Sequence, residues 1–246
     1  MIRTIRSLAF AAAVAVLTPA LALADHTPTH RTTRFTVTVE NVSTPASLTL
    51  STGGTAPAPT SPVLWLTHTG SAPLFKSGTP DRGKGLEALA EDGDPSKLVA
   101  SCQSAPGVGS VGAAAIPVGD DKPGPALPGK KFTFSFTAKP GEKLTVAMMF
   151  GQSNDWFYAP TENGIALWDK QGMPVGGDIT SQFVLWNAGT EVDQEPGVGA
   201  DQGPRQKAPN TGAAENGKVG RASGYPVPPV SQVIRVTIAP EAYAAK

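Results

Sequence analysis

The segment LWNAGTEVDQEPG (185–197) places Asn187, Glu191, Asp193 and Glu195 within nine positions, just beyond a strand-like apolar run ending at Trp186. Only 16% of the chain is charged, so this crowding stands out. Three chemistries suit such a group: a solvated loop, a carboxylate acid/base pair, or oxygen ligands for a hard cation. A second acid, Asp155 in FGQSNDWFYAP (150–160), follows another strong strand pattern. In a sandwich, Asp155 and the 187–191 turn can come from adjacent loops at one end. Gly189 would let that turn fold back on itself. Asn187 offers a neutral carbonyl oxygen, while Asp155 and Glu191 offer two charges. Backbone carbonyls and water could complete the six to eight oxygens that calcium takes.

Other chemistries find little to work with. The only histidines are His26, His30 and His68, and the only cysteine is Cys102. A zinc site or a serine or cysteine triad is hard to assemble from that set. Cys102 reads as a buried structural thiol. Ser153 in GQSND lacks the second flanking glycine of a nucleophile elbow. GVGSVG (107–112) matches the dinucleotide-binding glycine pattern, but it sits in a Pro-rich stretch with no amphipathic helix after it, so it reads as a loop.

The elements that must position the acids are short. Twenty-seven glycines and 24 prolines argue against long helices. RFTVTVEN (34–41) alternates Phe35, Val37 and Val39 with polar residues, the period of a half-buried strand. Similar patterns occupy 46–51, 62–68, 130–138, 142–151, 164–169, 181–186 and 231–238. Pro140-Gly141 suggests that 130–151 is a hairpin. Residues 81–103 instead carry helical spacing, with Asp94-Pro95 able to start a second short helix. The expected fold is all-β, an antiparallel β-sandwich of about eight strands with a short helical insertion. The stretches 104–129 and 196–229 read as long surface connections within a single domain. Trp168 and Trp186 are expected in the core, and Trp156 and Tyr158 on one side of a strand.

The N-terminus predicts the compartment. Arg3 and Arg6 precede an apolar run from Leu8 to Leu17 and an Ala22-Leu23-Ala24 cleavage pattern. Residues 1–24 therefore read as a signal peptide, leaving 25–246 secreted or periplasmic. Without Arg3 and Arg6, 18 basic side chains face 20 acidic ones, a net of about −2. No basic stripe invites nucleic acid, and no other apolar stretch suits a transmembrane segment.

Several long stretches carry a family resemblance: NDWFYAPTENGIALWD, GDITSQFVLWNAGTEVDQEPG and QGPRQKAPNTGAAENG, with PLFKSGTPDRGKGLEALAEDGDPSKL, RFTVTVENVS and VIRVTI around them. Together they resemble the spondin domain, the N-terminal module of F-spondin and mindin, across nearly all of 33–239. The resemblance implies a calcium-bearing β-sandwich. It places the family's acidic ligand positions on Asp155, Asn187 and Glu191. Asn187 stands where the family has aspartate, so the implied site is weaker, in the roughly millimolar range of extracellular modules. Asp193 and Glu195 lie beyond the matched motif and read as rim charges. Glu91 in LAEDG could approach the site from the helical insertion.

The implied role is non-enzymatic recognition or adhesion, with an extracellular or cell-surface protein or glycan as partner. The alternative is a glycan hydrolase using Asp155 and Glu191 as acid and base, which needs the two carboxyls to flank a cleft. A third reading leaves the site empty and gives the partner to the Gly/Pro-rich loops.

Overall fold

The structure, a computed structural model, describes residues 32–71 and 73–241. The signal-peptide reading of 1–24 therefore lies outside the described residues. The strands are β1 (Thr33–Asn41), β2 (Leu48–Thr49), β3 (Thr55–Ala56), β4 (Val63–His68) and β5 (Val108–Ala114). They continue with β6 (Lys131–Ala138), β7 (Lys143–Met149), β8 (Trp156–Ala159), β9 (Ile165–Ala166) and β10 (Gly177–Asp178). The last are β11 (Val184–Asn187), β12 (Gly220–Arg221) and β13 (Ile234–Pro240). Two helices, α1 (Leu86–Asp92) and α2 (Ser96–Cys102), form the insertion, and a single turn, α3 (Val230–Val233), leads into β13.

Two antiparallel sheets face each other. One runs β10-β13-β1-β6, the other β12-β11-β8-β7-β4-β5 with β9 beside β7. In the first, register sets Phe35 opposite Phe136 and Val37 opposite both Phe134 and Ile238. Period-two alternation then turns Phe35, Val37 and Val39 into the interior, where all three are buried. Trp65 of β4 reaches across to stack on Phe134 and Phe136, at ring separations of 5.4 and 5.6 Å.

The second sheet is apolar on both faces. Trp156 and Tyr158 of β8 point into the space between the sheets, while the intervening Phe157 points the other way. There it meets Phe75, edge to face at 5.3 Å, and joins Leu86, Leu89 and Leu98 of the two helices. The helical insertion is therefore a third layer on the outer face of the larger sheet. This explains the nearly continuous burial along β7 and β8, since a sheet covered on both faces loses the alternation.

The sandwich with its short helical insertion is the fold expected. Three local readings are corrected. Residues 130–151 are not a hairpin: β6 pairs with β1, whereas β7 pairs with β4 and β8. The Pro140-Gly141 turn instead carries the chain from one sheet to the other. GVGSVG is not a loop, because 108–114 is the edge strand β5, paired with β4. Gly109 and Gly112 fit there because Thr67 and the Trp65 ring occupy the space a Cβ would need. Trp186 is buried as expected, but Trp168 is only half-buried, edge-on to Phe35 at 5.4 Å.

Cys102, at the end of α2, is buried and free. Burial raises its thiol pKa, which suppresses the reactive thiolate. An aromatic disulfide reagent is expected to label Cys102 only at the rate of unfolding. Rapid labelling of the native protein would show that α2 opens locally.

Candidate metal site

Asp155 is fixed by the hairpin that joins β7 to β8. The Ser153 hydroxyl donates to the Phe150 carbonyl at 2.7 Å and accepts the Trp156 amide at 3.0 Å. Pairing of β8 with β11 sets Trp156 opposite Asn187, so the chain leaving β11 passes directly over Asp155. The Ala188 amide donates to the Asp155 carbonyl at 3.1 Å. Gly189, at φ 72°, then turns the chain back. A Cβ there would lie 2.6 Å from the Lys218 amide nitrogen, so glycine is needed for both the conformation and the close approach.

The turn closes on one carboxylate oxygen. Asp155 Oδ2 accepts the amides of Thr190 and Glu191 at 2.8 and 3.2 Å, and the Thr190 hydroxyl at 3.3 Å. Its other oxygen, Oδ1, is buried without a protein partner. The structure thus brings Asp155 and the 187–191 turn together, as the sequence suggested.

Asn187 and Glu191 spend their groups differently from Asp155. Asn187 Oδ1 accepts the Gly189 amide, and its amide group donates to Asp193 at 2.9 Å. Glu191 accepts the Asn154 amide group at 2.8 Å. Both therefore brace the turn. Asp193 is not a rim charge: it is half-buried and also accepts the Trp156 indole N–H at 2.6 Å. Glu195 accepts Ser51 through both amide and hydroxyl, tying the β2–β3 hairpin to this loop.

Glu91 joins the group from the third layer. Leu86, Leu89 and Ala90 bury one face of α1 against the larger sheet, and Glu91 is carried in with them to 2% exposure. Its Oε2 is buried and receives no hydrogen bond. The Thr190 hydroxyl that donates to Asp155 also favours the charged form of Glu91, though by less than burial opposes it. A carboxylate at a helix C-terminus also faces the negative end of the peptide dipoles.

The electrostatics are one-sided. Burial first, and then neighbouring acids, push Glu91 and Glu191 each up to about 7 and Asp193 up to about 6. Burial likewise raises Asp155. The main contributors to these shifts include no lysine or arginine among the described residues. The ion pairs among the described residues lie elsewhere, at Arg34–Glu241, Lys130–Asp120 and Arg235–Glu40. Among the described residues, no three His, Cys, Asp or Glu side chains converge as a ready-made metal cluster. What does fit a hard cation is a pair of open, buried carboxylate oxygens, Asp155 Oδ1 and Glu91 Oε2, without a positive partner.

Around the acids lies an amide lattice that the sequence reading did not anticipate. Asn154 Oδ1 accepts the Gln194 amide at 3.0 Å while its amide group holds Glu191. Gln202, fully buried, donates to the carbonyls of Gln194 and Glu195 and accepts the Gly197 amide. A glutamine within a Gly/Pro-rich stretch carries no periodic signal that would mark it as buried.

His68 does not belong to this site. It is buried in β4, with Nε2 2.9 Å from the Thr145 hydroxyl. Comparison of the chain with protein-family models and with curated proteins finds no match.

Proposed function

We propose that this chain is an exported, non-enzymatic recognition module of the spondin type, whose acidic end is organised by a structural calcium ion. The observation that carries this reading is the pair of unpartnered, buried carboxylate oxygens on Asp155 and Glu91, set among further acids and outside the ion pairs of the described residues. Leaving such groups charged and uncompensated inside a protein costs several kcal/mol. A bound divalent ion would supply the missing positive charge. Asp155 and Glu91 are the carboxylate ligands in this reading, and Asn187 and Glu191 shape the turn that presents them. The chain would thereby fasten the helical layer to two sheet-end loops and fix the surface that meets an extracellular protein or glycan.

The glycan-hydrolase alternative receives less support. Asp155 and Glu191 are 0% and 3% exposed and are held in one hydrogen-bonded turn. An acid/base pair must instead reach a substrate from either side of a cleft. The spondin resemblance and the export signal add to the recognition reading, and no helix among the described residues is long and apolar enough to cross a membrane.

Thermal unfolding of the chelator-treated protein should show a calcium-selective rise in melting temperature. A site in the millimolar range at ten times its Kd adds about 1.4 kcal/mol, or roughly 3–6 °C for a domain of this size. Magnesium should do less, because it resists giving up its water shell. No rise at ten millimolar calcium would remove the ion from the proposal.

A further inference from the structure

A groove of about 980 Å³ opens on the side of the molecule where α2 faces the end of β5. Its walls come from 57–62, 92–103, 113–127, 149–152 and 203–206. Seven of its lining residues are prolines, spread over four of these segments. Proline fixes φ and presents no amide, so such walls are preformed and apolar. Met149 and Leu127 add flexible apolar surface, and Leu127 is 50% exposed.

The charge in this groove has one sign. Among the described residues, Asp92 and Asp94 are its only ionisable lining residues. Asp94 is exposed and accepts the Ser96 amide and hydroxyl, both at 2.9 Å. Asp92 receives its protein hydrogen bonds on Oδ1 alone, from Gln206 and the Asn210 amide. Arg205, next to the groove in sequence, commits its guanidinium to Gly199, Gln152 and Gln202.

We propose that this groove binds a small amphipathic organic cation, its apolar body seated against the proline rings, Met149 and Leu127, and its ammonium group on Asp92 and Asp94. The volume lies at the upper end of the roughly 300–1,000 Å³ typical of small-molecule sites. A stable protein partner would instead bury about 800 Å² of flatter surface. Apolar walls supply affinity by removing the ligand's surface from water, and the two acids select its charge. This site is separate from the calcium reading: its lining includes neither Asp155 nor Glu91.

The test uses the full chain in chelator and three dansyl probes of similar size: dansylcadaverine, its neutral N-acetyl form, and the anionic dansyl-aminohexanoate. Dansyl emission should rise and shift blue with dansylcadaverine. The neutral form should bind about tenfold more weakly, a difference of about 1.4 kcal/mol, and the anion more weakly still. The double variant D92N/D94N should bring the three affinities together. Ala100 is exposed on α2 and lines the groove, so Ala100→Trp should block all three probes without lowering the melting temperature. Equal binding of the cation and anion would overturn the proposal, as would full binding to the folded Ala100→Trp variant. So would absence of binding at about 1 mM dansylcadaverine, a limit near 4 kcal/mol of affinity. Self-association that Ala100→Trp abolishes would assign the groove to a second copy instead. Calcium-dependent melting with no probe binding would overturn this inference alone, and probe binding without calcium-dependent melting would overturn only the cation-site reading.

Discussion

Asp155→Ala is expected to destabilise the calcium-free protein by about 3–5 kcal/mol, whereas Asp155→Asn should cost less than about 1.5 kcal/mol. Two effects oppose each other at this position. Removing the carboxylate relieves the burial of a charge whose pKa is already raised. It also strips the acceptor from the Thr190 and Glu191 amides and from the Thr190 hydroxyl. Hydrogen bonds to a charged group contribute about 1.5–3 kcal/mol each, and an orphaned buried amide costs about 1–3 kcal/mol. Three lost bonds outweigh the relief, so alanine unfastens the turn. Asparagine keeps an acceptor oxygen and discards the charge, which separates the structural role from the ionic one. Urea denaturation in chelator measures the first difference. Calcium titration of the folded asparagine variant measures the second, and its calcium response should be gone. An asparagine variant with a full calcium response would remove Asp155 from the ligand set.

The second large effect is on pH. Glu91 and Glu191 are raised from 4.5 to about 7, and Asp193 from 3.8 to about 6. A carboxyl raised in the folded state binds its proton more tightly there than in the unfolded chain. Its contribution to stability is therefore complete below the unfolded value and is lost as pH rises through the folded one. The calcium-free protein should accordingly lose stability between about pH 4 and pH 7. His68, lowered by burial, acts in the opposite sense as pH falls below 6.5, but it is one group against several. With solvent screening at the open side of the acids, the net loss should be about 3 kcal/mol, roughly 6–12 °C in melting temperature. Melting curves in chelator from pH 5 to pH 8 test this. Glu91→Gln should flatten the decline, and calcium should offset it most above pH 7, where the carboxylates are ionised. A melting temperature that climbs steadily from pH 5 to pH 8 in chelator would contradict the raised values.

The parts of this fold that were legible in the sequence are those with one wet face and one dry face. β1 and β6 alternate cleanly because the smaller sheet is covered on one side only. β8 carries four consecutive buried residues, because the sandwich lies on one face and the helical layer on the other. Its alternation correctly placed Trp156 and Tyr158 together, but not that Phe157 would be equally buried. β5 was hidden by Gly109 and Gly112, which pack against Thr67 and Trp65 of β4 and against Glu142 and contribute no side chain of their own. The Pro140-Gly141 turn was visible, but a turn does not say which sheet receives the next strand.

At the acidic end, sequence neighbourhood located the Asp155 hairpin and the 187–191 turn. It could not set the roles within them. Glu91 lies 64 positions before Asp155 in the chain and reaches it only because α1 packs across the larger sheet. Asn187 and Asp193 depend on which of several nearby donors each oxygen meets. Side-chain hydrogen-bond partners at that range are a property of the assembled loops.

The amide lattice has a further consequence for how this end of the molecule meets proteases. Arg205-Gln206 is, by residue type, an open invitation to a trypsin-like enzyme in a Gly/Pro-rich stretch. Yet the Arg205 guanidinium is held by Gly199, Gln152 and Gln202, and Gln202 is itself buried beneath Asn154. Threading that peptide bond into a protease cleft means withdrawing Gln202 and loosening the acids behind it. The stretch least regular in appearance is thus guarded by the same contacts that hold Glu191, and its survival among proteases depends on side-chain amides in place of a strand ladder.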